Sequence, residues 1–122
     1  GLAGHGHGER NASRSATVFN QLHPVSIGFL SLTLFPESQL FQEISEGLFQ
    51  EATEHERLDE MISLVSQLTC KTHILARTVS NPIPFTGFLP TDRESILHDL
   101  RDAKQHLTEQ QLRSYRDSIE SL

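Results

Sequence analysis

Two histidines in a glycine-rich segment are the first residues in this chain with the chemistry of a metal site. Residues 1–8 contain four glycines, and His5 and His7 lie between them. Imidazole nitrogens are common metal ligands, and residues two apart share one face of an extended strand. No third ligand accompanies them in the pattern, so a loop that carries two histidines without a metal is the alternative. The glycine spacing matches neither the P-loop nor the dinucleotide-binding fingerprint.

The single cysteine limits which disulfides and metal sites the chain can form. Cys70 alone rules out an internal disulfide and a four-cysteine metal site, and its place at the end of a helical pattern predicts a small buried hydrophobic residue. This cysteine usage favours a reducing, cytoplasmic location. No apolar run approaches the roughly 20 residues that span a bilayer, and no signal peptide is visible, so we expect no membrane partner. The net charge of −6 argues against a nucleic-acid surface.

The element that must position any site is the apolar run at residues 25–35, which reads V-S-I-G-F-L-S-L-T-L-F. Apolar side chains would fall on both faces of an extended strand, which is typical of a parallel sheet with helices on either side. A buried helix is the competing interpretation. His23-Pro24 before the run, Pro36 after it and Gly28 within it favour a strand, which we predict over residues 26–33.

Helical patterns surround this strand. Apolar spacing predicts a first helix that is N-capped by Asn11 or Ser13 and ends before His23-Pro24, and a short helix between Pro36 and Gly47. Three capping-box patterns predict the starts of later helices: Thr53-x-x-Glu56, Thr91-x-x-Glu94 and Thr108-x-x-Gln111. The apolar stripes of these three helices are Leu58, Met61, Ile62, Val65 and Leu68; Ile96, Leu97, Leu100 and Ala103; and Leu112, Tyr115, Ile119 and Leu122.

A second strand is predicted at residues 73–79. After it, Pro82, Pro84 and Pro90 predict that residues 80–90 form no regular element, while their apolar content predicts an ordered loop packed on the core. Strands that alternate with helices indicate an α/β fold with right-handed crossovers. We expect two or three parallel strands with flanking helices. So few strands do not close a sheet, and the chain is therefore expected to be a piece of a longer protein.

Several segments resemble the C-terminal half of a radical SAM domain. They are Gly1-Leu2-Ala3-Gly4, the helix end Phe19-Asn20-x-x-His23-Pro24, the run at residues 25–34, Pro36-x-Ser38-x-Leu40-Phe41 and Gly47-x-Phe49. The most specific segment is Ser80-Asn81 followed by Pro84-x-Thr86-Gly87-x-Leu89-Pro90-x-Asp92-Arg93-x-x-Ile96-Leu97. It looks like the tail of a branch whose members are labelled oxidoreductases or coproporphyrinogen-oxidase-like proteins. The resemblance covers about residues 1–105, with residues 106–122 as a C-terminal helical extension.

The resemblance implies the C-terminal fragment of a partial (β/α) barrel. In that family three cysteines of a C-x-x-x-C-x-x-C motif hold a [4Fe–4S] cluster, which cleaves S-adenosylmethionine to a radical that removes hydrogen from a substrate. This sequence lacks the motif, so the chain alone would bind no cluster and be inactive, and both cofactors would belong to the parent protein. Its partners would be the remainder of its own barrel and the parent's small-molecule substrate.

The resemblance also implies site residues, none of them catalytic. Two sets would face S-adenosylmethionine or the substrate at the ends of consecutive barrel strands: Gly1 and Gly4, then Thr33, Leu34 and Phe35. A substrate-side loop would contain Ser80 and Asn81. Plain core packing is the alternative for Thr33 and Phe35.

A second interpretation stays open. The chain would then be a stand-alone small α/β binding module with a metal at His5 and His7, and the coding sequence before Gly1 separates the two interpretations. In the fragment interpretation, an apolar strand that has lost its neighbours exposes unpaired backbone groups. We therefore expect the isolated chain to form homo-oligomers.

Overall fold

The structure is a computed structural model that describes residues 1–119, and within them lie five helices and three strands. The helices are α1 (Gly8–Leu22), α2 (Gln39–Ser45), α3 (Glu54–Gln67), α4 (Arg93–His106) and α5 (Glu109–Asp117). The strands are β1 (Ser26–Gly28), β2 (Thr72–Ala76) and β3 (Phe85–Leu89). The predicted α/β class is confirmed. None of these five helices is long and apolar enough to cross a bilayer.

The three strands form one mixed sheet with the order β1-β2-β3. β1 and β2 are parallel, with Ile27 beside Ile74. β2 and β3 are antiparallel, with Ile74 beside Gly87. The expected parallel arrangement therefore holds for β1 and β2 but is wrong for β3. An antiparallel strand can follow its neighbour without a crossover helix, and β3 does so.

Residues 80–90 contain β3, which contradicts the prediction that their prolines exclude a regular element. Pro84 and Pro90 lie immediately outside β3, so neither removes a donor from the ladder. Gly87 lies in the middle of the strand. A Cβ on Gly87 would lie 2.8 Å from Ile96 Cδ1, so the glycine allows α4 to pack close to β3.

The prediction of a strand over residues 26–33 is wrong at its C-terminal end, because β1 stops at Gly28. One further backbone bond, from Phe29 N–H to the Leu75 carbonyl at 2.8 Å, joins the segment to β2. After it, side chains replace the ladder: Asn81 donates to the Phe29 carbonyl at 2.6 Å, and the Ser31 hydroxyl donates to the Asn81 amide oxygen at 2.8 Å. The chain can leave the sheet here because these bonds satisfy polar groups that would otherwise be buried and unpaired.

Only one face of the sheet is covered by helices. Ile74 and Ala76 of β2 are fully buried and share one core with residues of α1, α3, α4 and α5. Leu30 and Leu75 are 68% and 49% exposed, so the expectation of helices on both faces is wrong. We call the uncovered side the open face; it consists of Ser26, Gly28, His73, Leu75, Thr86 and Phe88 of the strands, and the exposed residues Leu30, Lys71 and Arg77, just outside the strands, continue its alternation.

Two of the three predicted capping boxes form, at the N-termini of α3 and α5. The box predicted at Thr91 and Glu94 is wrong, because Asp92 is the N-cap of α4. The Asp92 carboxylate accepts a hydrogen bond from Phe88 N–H at 2.7 Å instead. This contact ties the start of α4 to the end of β3.

The first two helices differ from their predicted starts. α1 begins at Gly8, earlier than the predicted Asn11 or Ser13. α2 begins one residue after its N-cap Ser38 rather than at Pro36, because the Ser38 hydroxyl accepts a hydrogen bond from the first turn. No residue of α2 is buried, so this short helix lies outside the core.

The apolar stripe of α3 is the main helical contribution to the core. Its buried members are Leu58, Val65 and Leu68, as predicted, and its partly buried members are Met61 and Ile62. Leu122, which the pattern places on the stripe of the last helix, lies outside the described residues. The other predicted stripes supply the buried residues Ile96, Leu97, Leu100 and Leu112.

The outer edge of β1 has no strand beside it in the described part of the chain. Edge strands of this kind recruit other strands when nothing blocks them. Formation of homo-oligomers by the isolated chain therefore stays a prediction.

We expect Leu58→Ala to lower the free energy of unfolding by about 2–4 kcal/mol, because the truncation leaves a cavity in the core. Urea denaturation followed by circular dichroism measures this value. Leu22→Ala is the matched control: Leu22 is 68% exposed at the end of α1, and its truncation should cost less than about half a kcal/mol. Equal losses for the two variants would show that the α3 stripe does not face the core.

Candidate functional site

Charged side chains from two helices contact the backbone of Leu32, in the segment that follows β1. Arg57 of α3 and Arg116 of α5 each donate a hydrogen bond to the Leu32 carbonyl, both at 2.8 Å. Leu32 lies outside the strands and is partly buried, so side-chain donors take the place of a strand partner for its carbonyl. We call the group the arginine cluster; it consists of Glu51, Glu54, Arg57, Arg113 and Arg116.

Two glutamates pair with the three arginines of this cluster. Glu54 accepts two hydrogen bonds from Arg116, at 2.5 and 2.9 Å, and Glu51 accepts one from Arg57 at 2.5 Å. Glu51 also accepts two bonds from Arg113, at 2.9 and 3.1 Å. The side chains of Glu54, Arg57 and Arg116 are no more than 4% exposed, so salt and water screen them little. Paired bonds between a guanidinium and a carboxylate fix geometry as well as charge.

Burial and neighbouring charges act on the pKa values of this cluster in opposite directions. Desolvation lowers the pKa of Arg57, and Arg116 lowers it further, whereas Glu54 and Glu51 raise it. The hydrogen bond to Glu51 raises the pKa of Arg113. Both arginines stay protonated because the ordinary pKa of arginine is far above neutrality. The arginine cluster is therefore a fixed charge network rather than an acid–base pair.

The arginine cluster lies beside three of the predicted site residues. Thr33, Leu34 and Phe35 line one cavity of about 320 Å³, together with Arg113 and Asp117. The Thr33 hydroxyl is buried and has no hydrogen-bond partner among the described residues. Buried polar atoms are normally satisfied, so a bound polar group would complete this one. The structure thus brings these three predicted residues to one surface.

Gly1 and Gly4 lie elsewhere. Residues 1–4 form a turn rather than the end of a strand. Gly4 is buried with a φ of +86°, and a Cβ there would lie 2.9 Å from the Gln50 carbonyl oxygen. Backbone conformation and packing therefore account for this glycine. Gly1 borders a different cavity, of about 170 Å³, beside Phe29 and Arg57.

Ser80 and Asn81 lie in the protein interior, and neither is more than 2% exposed. The Ser80 hydroxyl accepts a hydrogen bond from Ser31 N–H at 3.2 Å, and Asn81 bonds to Phe29 and Ser31. These two residues fasten the connection after β2 to the segment after β1. Their place in a substrate-side loop stays a prediction.

The two N-terminal histidines have different neighbours. His5 Nδ1 lies 2.9 Å from a carboxylate oxygen of Glu56, at the start of α3. His7 lines a separate cavity with Arg10 and Arg14. Among residues 1–119 there is no group of three or more histidine, cysteine, aspartate or glutamate side chains suited to a metal ion.

Only a weak signal for the arginine cluster is present in the sequence. Glu54 and Arg57 are three residues apart, and Arg113 and Asp117 are four apart, which predicts ordinary pairs on exposed helix surfaces. The bond between Glu54 and Arg116 joins residues 62 positions apart and has no local signature. Only the folded chain shows that these charges are buried together.

Comparison of the chain with protein-family models, with curated proteins and with solved structures finds no match in any of the three. The relation to radical SAM proteins therefore rests on the sequence segments alone and stays a proposal.

Glu56 predicts a pH dependence of stability. The hydrogen bond from Thr53 N–H lowers the pKa of Glu56 from 4.5 to about 2, with help from His5 and Gly6. A carboxylate with a depressed pKa in the folded state stabilises the fold above its unfolded pKa, and this stability is lost as the pH falls through the folded pKa. We expect the fold to weaken between about pH 4.5 and pH 2, and Glu56→Gln to weaken less over this range. Urea midpoints at each pH measure the effect.

The control for this experiment is Glu94→Gln, at an exposed position in the first turn of α4. It should follow the pH profile of the unmodified chain. Identical profiles for all three proteins would contradict the role of Glu56.

Arg116→Met should lower the free energy of unfolding by about 3–5 kcal/mol, because it removes both hydrogen bonds from Arg116 to the buried Glu54 carboxylate. Arg113→Met is the matched comparison. Arg113 is 41% exposed, and its loss should cost about 1 kcal/mol or less. Urea denaturation compares the two variants, and an Arg116 loss no greater than that of Arg113 would show that the cluster contributes little.

Proposed function

We propose that this chain is the closing part of a larger (β/α) barrel of the radical SAM type that its sequence segments resemble. The observation that carries the proposal is a sheet with one helix-covered face, one open face and an outer strand edge without a partner. In a (β/α) barrel the helices lie outside and the other face of the sheet lines the interior; the parallel β1 and β2 match this arrangement, whereas the antiparallel β3 departs from it. The remaining strands would lie beside β1.

The outer edge of β1 supports an additional strand. The carbonyl of Val25 and the N–H of Phe29 bond to β2, so the alternate residues Ser26 and Gly28 direct their backbone groups to the outer edge. A strand placed there would pair with these groups. Its apolar side chains would enter the adjacent cavity of about 170 Å³, which is lined by Phe19, Met61 and Leu64.

The ligand side of the proposed barrel lies where β1 ends, because barrels of this kind bind ligands at the carboxyl ends of their strands. The chain continues from that end into Thr33, Leu34 and Phe35 and their cavity. We assign these three residues to the S-adenosylmethionine or substrate side. The unpartnered Thr33 hydroxyl supports this, because it offers a hydrogen bond that nothing in residues 1–119 uses.

The iron–sulfur cluster does not fit the residues of this chain. Cys70 is the one cysteine in the sequence, and it is buried. A [4Fe–4S] cluster needs several thiolate ligands. In the proposal those ligands belong to the rest of the barrel, which also carries the redox chemistry, and this chain contributes no catalytic residue. The proposed location is the cytoplasm, where Cys70 stays reduced.

A stand-alone α/β binding module is the second candidate. The observation that favours it is the single core that the sheet shares with α1, α3, α4 and α5, since these elements bury apolar side chains against one another. Metal binding at His5 and His7 is the proposed chemistry in that case. Glu56, which contacts His5, offers a carboxylate at the same loop.

The coding sequence before Gly1 tests the first proposal. We expect it to encode a C-x-x-x-C-x-x-C motif, and the protein that includes it to bind about four irons after anaerobic reconstitution with iron and sulfide. After reduction, that protein should cleave S-adenosylmethionine to 5′-deoxyadenosine. The chain of 122 residues, treated in the same way, should bind no iron.

The matched control is Cys70→Ser in the longer protein. It should leave the iron content unchanged, because Cys70 is buried in the core and is not a ligand in the proposal. A start codon directly before Gly1, or stoichiometric iron on residues 1–122 alone, would overturn the proposal.

A further inference from the structure

The open face carries charges of the opposite sign to the chain as a whole. The sequence has 16 acidic residues against 10 lysines and arginines, yet no aspartate or glutamate lies on the open face. Its titratable residues are His73 in β2 and the exposed Lys71 and Arg77, which lie directly before and after β2 and continue the alternation of the strand as one row. The row exists because the even-numbered residues of β2 are buried and the odd-numbered ones point away from the core.

Arg77 lies at the carboxyl end of this row, which is the end where α/β proteins with parallel strands bind ligands. It forms no salt bridge with any acidic residue within residues 1–119. The planar guanidinium group matches the two oxygens of a carboxylate or phosphate. An oxyanion is therefore the complementary group for this position.

Gly28 leaves space on the open face next to this row. A Cβ built on Gly28 meets no atom within 4 Å, and Gly28 lies beside Leu75 in the sheet. Leu30 and Leu75 border the space with exposed apolar surface. Alternate residues on a strand are about 6.6 Å apart, so a small apolar group over Gly28 and Leu75 lies within reach of Arg77.

A second copy of the chain does not suit the open face. Two such faces would set Arg77 and Lys71 of each copy against each other with no acidic residue to separate them, and like charges repel. The charge pattern instead favours an anionic partner.

We infer that the open face binds a small molecule with a carboxylate or phosphate on an apolar body. The oxyanion contacts Arg77, and the apolar body lies over Gly28 and Leu75. This inference rests on the proposed function, in which the open face lines the interior of a barrel and has room only for small molecules. It names the class of substrate that the interior accepts.

The test uses the 122-residue chain, labelled with ¹⁵N, and four probes of one length. Hexanoate and hexyl phosphate combine an anion with an apolar body, hexanol has the body alone, and hexylammonium reverses the charge. Both anions should shift the amide signals of Gly28, Leu75 and Arg77 in NMR titrations. Hexanol and hexylammonium should bind at least about tenfold more weakly, because they lack a charge-assisted hydrogen bond to Arg77.

Variants separate the two parts of the site. Arg77→Ala should weaken hexanoate binding about tenfold, and Arg77→Lys should weaken it less because the charge remains. Gly28→Leu should block hexanoate and hexanol alike by filling the space. Arg14→Ala, on the exposed surface of α1, is the matched control and should leave both affinities unchanged.

Three results would overturn the inference: equal binding of hexanol and hexanoate, no loss in Arg77→Ala, or tighter binding of a single-stranded oligonucleotide than of hexyl phosphate. If the 122-residue chain binds neither anion but the longer protein binds the iron–sulfur cluster, this inference is overturned and the proposed function stands. Anion binding that depends on Arg77, alongside an upstream sequence without the cysteine motif, would support the site and overturn only the proposed function.

Discussion

The Leu32 carbonyl sets a constraint on which much of the structure depends. The chain has left β1 by this point and has no strand to pair with, so the partly buried carbonyl is satisfied by side-chain donors instead. Arg57 and Arg116 supply them. Their burial then requires Glu51 and Glu54 as counter-charges, because an unpaired buried guanidinium would be strongly destabilising. These hydrogen bonds and ion pairs hold α3, α5 and the segment that contains Leu32 together.

Side chains of α5 bind the segments that follow β1 and β2. Arg116 holds the segment after β1, while the Tyr115 hydroxyl donates to the Val79 carbonyl at 2.9 Å in the connection after β2. The Glu109 carboxylate accepts hydrogen bonds from the N–H groups of Glu54 and His55, at 2.7 and 2.9 Å. A negative charge at the N-terminus of α3 is favourable, because it complements the helix dipole. The helix that the sequence presents as an extension therefore supports the cavity lined by Thr33, Leu34 and Phe35.

Short-range signals made part of this fold predictable. The capping boxes of α3 and α5 each lie within four residues, and the α3 stripe follows helical spacing, so local chemistry alone predicts them. The site was less predictable. Thr33, Leu34 and Phe35 were identified by resemblance, whereas Arg116 meets Glu54 across 62 positions, a distance that no local pattern encodes. β3 was missed because Pro84 and Pro90 flank it without interrupting it.

The apolar run at residues 25–35 predicted a strand covered on both sides, and the folded chain covers one. Periodicity reports which side chains avoid water but not what covers them. Val25, just before β1, and Leu30, beside the open face, remain 85% and 68% exposed, and exposed apolar surface is typical of an interaction site. In the proposed barrel a further layer would cover these residues, which reconciles the pattern with the exposure. Arg77, in the same surface, then sets a condition on that layer: it must leave room for an anion, since a guanidinium enclosed without a counter-charge would destabilise the closed barrel.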